Sequence, residues 1–240
     1  MPDFFSVVVP IHNEESFLEE ALAAMRSALT STGSDPDIYL VENGSTDATL
    51  EAAGRLADQA LGLHVLSLPD PDYGAAMREG LMVAPGEWVV TFDVDYYSED
   101  FVRRLQALRR EADVVIASKR APGSEDRRSR FRRVGTWVFN GMVRLLLGTR
   151  VTDTHGIKAF SRRVIDRLAG EVLSTKDLFD TELVLRAERA GFRIVEVPIV
   201  VEEKRQARSS YVKRVPGAIR GLLQLRSVLP ARDWRNTTSR

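Results

Sequence analysis

The 240-residue chain contains no cysteine. Disulfides, thiolate metal sites and a cysteine nucleophile are therefore excluded. Long apolar runs are also missing. The nearest stretches, 134–147 and 215–229, are interrupted by arginine and fall short of the roughly 18 residues that mark a membrane span. No basic segment leads into an apolar core at the N-terminus, so no secretory leader is expected. Lysine is scarce, at five of 34 bases, and early bases of any kind are few. Residues 1–100 hold 19 acids against Arg26, Arg55 and Arg78 alone. What is present is 44% hydrophobic residues, enough for a packed core and too many for a disordered chain. The formal net charge is zero, yet it divides into −16 over residues 1–100 and +16 over 101–240. Such a split suits an acidic half that holds a cation and a basic half that holds an anion. Arginine-rich coding accounts for part of it.

The first half alternates strand and helix patterns. Strands are expected at 4–9, 37–41, 63–68, 87–92 and 113–117. Helices are expected at 15–28, 47–60, 75–83 and 99–111. That order implies an α/β fold with a parallel sheet covered on both faces. Ligands of open parallel sheets bind at the C-terminal strand ends. The polar segments Asn13-Glu14-Glu15, Glu42-Asn43-Gly44-Ser45 and Asp93-Val94-Asp95 fall there. In the second half, 118–133 reads as an arginine-dense loop, followed by helices at 134–147, near 161–170, and at 178–190 capped by Asp177. A β-prone run covers 193–201, a basic loop 204–214 and an amphipathic helix 215–229. Residues 1–229 are taken as one domain, with a nucleotide-binding half (1–117), an acceptor-binding half (118–229) and a tail at 230–240.

Asp93-Val94-Asp95 is the sharpest feature. Two carboxylates one residue apart lie on one side of an extended backbone and suit a hard divalent cation. Solvated acids ahead of a helix are the plain alternative. Asn13 and the acids after it fit a helix start as well as a ligand. Glu42 can accept ribose hydroxyls or a base N–H, or belong to an Asn-Gly turn.

Taken in order, these segments resemble the family 2 inverting glycosyltransferases of GT-A fold, most closely the polyprenyl-phosphate hexosyltransferases. The matching residues are Val9-Pro10-Ile11-His12-Asn13-Glu14, Glu42-Asn43-Gly44-Ser45-Thr46-Asp47, Asp93-Val94-Asp95 and Phe179-Asp180-Thr181-Glu182-Leu183. Two further segments, Ala190-Gly191-Phe192 and Glu196-Val197-Pro198, also match. The third loop departs from the family, with Asp72-Tyr73-Gly74-Ala75-Ala76 where a basic residue and a glycine pair are usual. Tyr96-Tyr97-Ser98 replaces the Leu-Gln-His that commonly follows the acidic pair, which removes an amide near the metal.

The resemblance implies a UDP- or GDP-hexose donor, with Mg²⁺ or Mn²⁺ held by Asp93 and Asp95. Pro10, Asn13, Glu14, Glu42, Gly44, Ser45 and Val94 would frame the nucleotide together with Asp93. Arg78 is a candidate for the diphosphate, or for a surface ion pair. Acceptor residues carried over are Arg120, Arg132 with Thr136, Lys158 and Glu182. Asp95, Arg120 and Asp180 are the catalytic candidates, Asp180 as base if the acceptor is a hydroxyl. Seven bases within 119–133 suit a phosphate, through bidentate guanidinium contacts. Only Phe131 interleaves them, and no nucleic-acid reader motif is present, so nucleic acid is not the expected partner. Helices 136–147 and 215–229 suit either a membrane surface or core packing. The expected location is cytoplasmic, with a peripheral seat at the inner membrane face as the variant. A soluble hydroxyl acceptor and a non-catalytic nucleotide-binding protein are the rival readings.

Overall fold

The computed structural model describes residues 3–175, 178–201 and 211–229, without the side chains of residues 131, 132, 211–216 and 218. Seven strands form the central sheet: β1 (Phe5–Ile11), β2 (Ile38–Asn43), β3 (Leu63–Leu68), β4 (Trp88–Thr91), β5 (Val114–Ser118), β7 (Lys158–Ser161) and β8 (Ile194–Pro198). Their spatial order is β3-β2-β1-β4-β7-β5-β8. All neighbours run parallel except β7, which is antiparallel to both β4 and β5. Two short strands, β6 (Glu125–Asp126) and β9 (Val200–Val201), pair apart from it.

β1 is buried along nearly its whole length, which is why it reads as an unbroken apolar run. Its residues alternate between two core layers. Val7 and Val9 meet α1 (Leu18–Ser31) and α4 (Glu99–Leu108), whereas Val8 faces α3 (Tyr73–Val83) and α7 (Phe179–Arg189). α2 (Thr49–Gln59) lies in the first layer and α6 (Arg162–Leu168) in the second. A third cluster joins α5 (Arg130–Leu147) and α8 (Tyr211–Val228) through Val143, Leu147, Leu222 and Leu225, with Leu185 of α7 beneath.

Several boundaries differ from expectation. Glu14 to Phe17 form a turn, so α1 starts at Leu18 rather than at residue 15. α5 begins at Arg130, four residues inside the expected loop. The 193–201 run breaks at Ile199 into β8 and β9. α8 starts at Tyr211 rather than at 215. The Asp177 cap and the tail at 230–240 lie outside the described residues.

Candidate functional site

The C-terminal ends of β1, β2 and β4 lie side by side, because β1 pairs with both of the others in parallel. The first two loops are stitched together. Asn13 adopts a left-handed backbone (φ 56°), and its carboxamide oxygen accepts from Thr46 N–H at 2.8 Å. Asn13 N–H donates to Ser45 Oγ at 3.0 Å, and Glu14 N–H donates to Thr49 Oγ1 at 2.8 Å. A left-handed residue that is not glycine is uncommon and persists where its surroundings over-determine it. Gly44 also has positive φ (61°), and a Cβ there would lie 2.7 Å from Pro71 N, so the β2 loop closes against the β3 loop only with glycine.

Glu42 behaves differently from expectation. Its side chain is buried, Oε1 accepts from Ser45 N–H at 2.6 Å, and Oε2 accepts from Ser67 Oγ–H at 2.9 Å. The carboxylate therefore braces the turn. Pro10 is half-buried at the end of β1. Val94 points into the core, so only its backbone is open to a nucleotide.

Asp93 and Tyr96 close a tight turn. Asp93 N–H donates to Tyr96 O, and Tyr96 N–H donates to Asp93 O at 3.1 Å. Solvent reaches Asp93 from one side, but the protein around it desolvates the carboxyl. With the nearby charges of Asp180 and Asp95, this pushes its pKa up to about 6, against the pull of Lys158 and Lys119. Asp93 and Asp95 are hard oxygen donors whose mutual repulsion a divalent cation such as Mg²⁺ or Mn²⁺ would relieve, and among the described residues no group of three or more acidic or histidine side chains is placed to hold a metal by itself.

Asp180 lies beneath. Its Oδ2 accepts from Lys158 Nζ at 3.0 Å and from Tyr73 Oη at 3.1 Å. Its Oδ1 is buried without a partner among the described residues. Lys158 is fully buried and also donates to Gly156 O at 2.7 Å. That ammonium is committed to Asp180, which corrects its expected place among the acceptor contacts. Glu182 is corrected likewise. Its carboxylate accepts from the N–H groups of Leu173 and Ser174 and from Arg186 Nε, and it is wholly buried. Burial alone would raise its pKa, but these bonds hold it below the ordinary range. Arg78 does not face the site. It donates to Val172 O and lies over the Phe179 ring, 5.8 Å from its centroid.

A second cleft, of about 700 Å³, opens beside this cluster. Lys119, Arg120, Arg130, Arg133, Thr136 and Trp137 are among the residues that line it. Lys119 is neutralised by Asp153, at 2.9 Å. Burial works to raise the Asp153 carboxyl, but Lys119 and His155 N–H hold it below its usual value. Arg120, Arg130 and Arg133 are exposed and have no carboxylate partner among the described residues. Arg120 and Thr136 both line this cleft. Thr136 Oγ1, however, accepts from Arg128 Nη2 at 3.3 Å, and the Arg132 side chain lies outside the described residues. Arg130 and Arg133 had no separate signal beyond the charge run. His155, held between Asp153 and Lys158, was also missed, since a lone histidine in a loop marks nothing by itself.

Residues 6–169 match the glycosyl transferase family 2 domain. The chain is 32% identical to glycosyltransferase AglD of Haloferax volcanii over 88% of its own length, and spans 35% of that longer protein. It is 30% identical to an undecaprenyl-phosphate mannosyltransferase of Micrococcus luteus, covering 82% of this chain and 83% of that one. Against a polyprenol monophosphomannose synthase of Mycolicibacterium smegmatis the identity is 31%, covering 82% and 77%. The fold matches glucosyl-3-phosphoglycerate synthase of Mycobacterium tuberculosis, solved with Mn²⁺, UDP-glucose and phosphoglyceric acid, at a TM-score of 0.68. That likeness has 23% identity and covers 95% of this chain and 80% of the other.

Proposed function

Because the chain belongs to glycosyl transferase family 2, we propose that it transfers a hexose from UDP or GDP to a polyprenyl phosphate, inverting the anomeric carbon. The observation that carries the acceptor is the basic cleft. Three guanidinium groups without carboxylate partners among the described residues, Arg120, Arg130 and Arg133, share it with the indole of Trp137. A phosphate on an isoprenoid chain offers the matching anion and apolar body. Arg130, Arg132 and Arg133 also lie in the first turn of α5, where no acid offsets them. A cation there is opposed by the helix dipole at about 0.3–1 kcal/mol each. A bound phosphate would remove that repulsion.

On the donor side, Asp93 and Asp95 would hold Mg²⁺ or Mn²⁺, which neutralises charge on the departing nucleoside diphosphate. The loops of Asn13, Glu14, Gly44 and Ser45 form the nucleoside wall, with Glu42 bracing it from behind. Lys158 and Tyr73 hold Asp180 under the acidic turn. One Asp180 oxygen is thus held and the other buried, which leaves little room for it to collect a substrate proton. A phosphate monoester needs no such base, since its second pKa of about 6 leaves it largely dianionic at neutral pH. This favours phosphate over a hydroxyl acceptor.

Among the described residues no helix is long and apolar enough to cross a membrane. Val134, Trp137, Val138 and Leu145 nevertheless form an exposed apolar stripe on α5, with Ile219 and Leu223 exposed on α8. The opposite faces of both helices pack together. Such a stripe flanked by arginine suits a peripheral seat on an anionic membrane surface. The test is sugar transfer by the purified protein to farnesyl phosphate with UDP- and GDP-hexoses. Arg120→Ala should raise the KM for farnesyl phosphate about tenfold or more, the loss of one charge-assisted contact. Transfer to a sugar or polyol, with none to any polyprenyl phosphate, would overturn the acceptor assignment.

A further inference from the structure

We propose that His155 Nε2 donates a hydrogen bond to a phosphate oxygen of the bound acceptor. The inference rests on the acceptor reading above. His155 stands between the two parts of the site. On one side its backbone carbonyl accepts from Lys119 Nζ at 3.1 Å, and Lys119 lines the basic cleft. Its ring meets Phe139 of α5 edge-on at 4.8 Å, one turn beyond Thr136 of the same cleft. On the other side, Lys158 and Asp180 are close enough to act on its charge, as are Asp153 and Lys119.

The loop that carries the ring is held at several points. Asp153 Oδ1 accepts from His155 N–H at 3.1 Å. Glu196, from β8, accepts from the N–H groups of Thr152 and Asp153 and from the Thr152 hydroxyl. The ring is held too. Nδ1 lies 3.4 Å from Thr154 Oγ1, which is itself 2.9 Å from Thr181 Oγ1. In the tautomer this contact requires, Thr154 Oγ1–H donates to Nδ1 and the ring proton sits on Nε2, an atom with no hydrogen-bond partner among the described residues. Burial and the two lysines keep the imidazole neutral, so it stays a donor on one nitrogen and an acceptor on the other. A neutral donor next to Lys119 of the basic cleft suits a phosphate oxygen rather than another cation.

The test compares His155→Leu, His155→Gln and His155→Asn. A glutamine amide reaches about as far as Nε2, and an asparagine amide about as far as Nδ1. Farnesyl phosphate and the Mn²⁺ complexes of UDP and GDP serve as calorimetric probes. His155→Leu and His155→Asn should weaken farnesyl phosphate binding about tenfold. His155→Gln should restore most of it, and nucleotide affinity should not change in any variant. Unchanged farnesyl phosphate affinity in His155→Leu would overturn the proposal. So would a loss confined to nucleotide binding, which would move the contact to the donor diphosphate. If the unaltered protein bound nucleotide but not farnesyl phosphate, the acceptor reading itself would fall, and this inference with it.

Discussion

Replacing Glu42 with alanine should cost folding stability before it costs anything else. Only 3% of the residue is exposed, and both carboxylate oxygens are bonded within the protein. The two bonds are not equal. Ser67 is exposed on β3, so its hydroxyl can turn to water when the carboxylate is removed. The Ser45 N–H sits in a turn closed against Pro71 and has no such freedom. The loss is therefore about one charge-assisted hydrogen bond, or about 1.5–3 kcal/mol. For a chain of this size each kcal/mol shifts the melting temperature by about 2–4 °C, so Glu42→Ala should melt about 3–12 °C lower. Glu42→Gln keeps an acceptor for Ser45 N–H and loses only the charge assistance, so it should fall by no more than a few degrees. Calorimetric melting of the free protein measures both, and titration with a Mn²⁺–nucleotide complex gives the companion affinity. A Glu42→Ala protein that melts within about one degree of the parent and yet loses nucleotide affinity would refute the bracing role. Glu42 would then be a direct nucleoside contact.

Three other outcomes are expected. Asp95→Ala should leave the melting temperature of the free protein nearly unchanged and abolish metal-dependent nucleotide binding; equal affinity in EDTA and in Mn²⁺ for the parent protein would contradict the metal site. Leu145→Glu, on a side chain 84% exposed, should reduce co-sedimentation with phosphatidylglycerol vesicles roughly tenfold without changing the melt. Unchanged sedimentation would remove α5 from the membrane surface. Although the raised carboxyl of Asp93 works in the opposite sense below about pH 6, His155 should take stability away as pH drops, because burial holds its pKa down from 6.5 to about 4. Between those values the unfolded chain binds a proton that the folded chain refuses. Stability contributed by the neutral ring is therefore complete above about pH 6.5 and is lost toward pH 4, with a slope approaching 1.4 kcal/mol per pH unit. His155→Gln should lose less stability than the parent between pH 6.5 and 4 in urea denaturation, and equal slopes in the two profiles would show that His155 does not contribute.

The strand ends that carry the site were legible because a parallel sheet collects them at one edge, and the polar segments after β1, β2 and β4 mark that edge. The partners of individual charges were not legible. Glu42, Lys158 and Glu182 look in the sequence like groups free to meet a ligand, yet each is turned inward to an N–H, a hydroxyl or an opposite charge. Nothing in residue type separates a carboxylate aimed at substrate from one aimed at a backbone amide. The start of α5 was hidden for a related reason. Arg130 to Arg133 carry no acidic first turn and no capping side-chain bond, so the segment reads as a solvated loop. The direction of β7 was hidden because a four-residue buried strand has the same composition either way.

The reversed strand β7 binds the two halves of the chain into one folding event. Its pairs run from Trp88↔Ser161 to Thr91↔Lys158 on one side and from Val114↔Phe160 to Ile116↔Lys158 on the other. β4 and β5, both from the first 118 residues, thus never touch as neighbours; each waits for a strand more than forty residues further along. A fragment ending after β5 would leave two apolar strands with open hydrogen-bonding edges, a template for aggregation. The late arrival of β7 also raises the mean sequence separation of the contacts, which slows folding. Engineering that trims the chain to its nucleotide-binding half would therefore yield insoluble protein, and circular permutants should keep β4, β7 and β5 on one polypeptide.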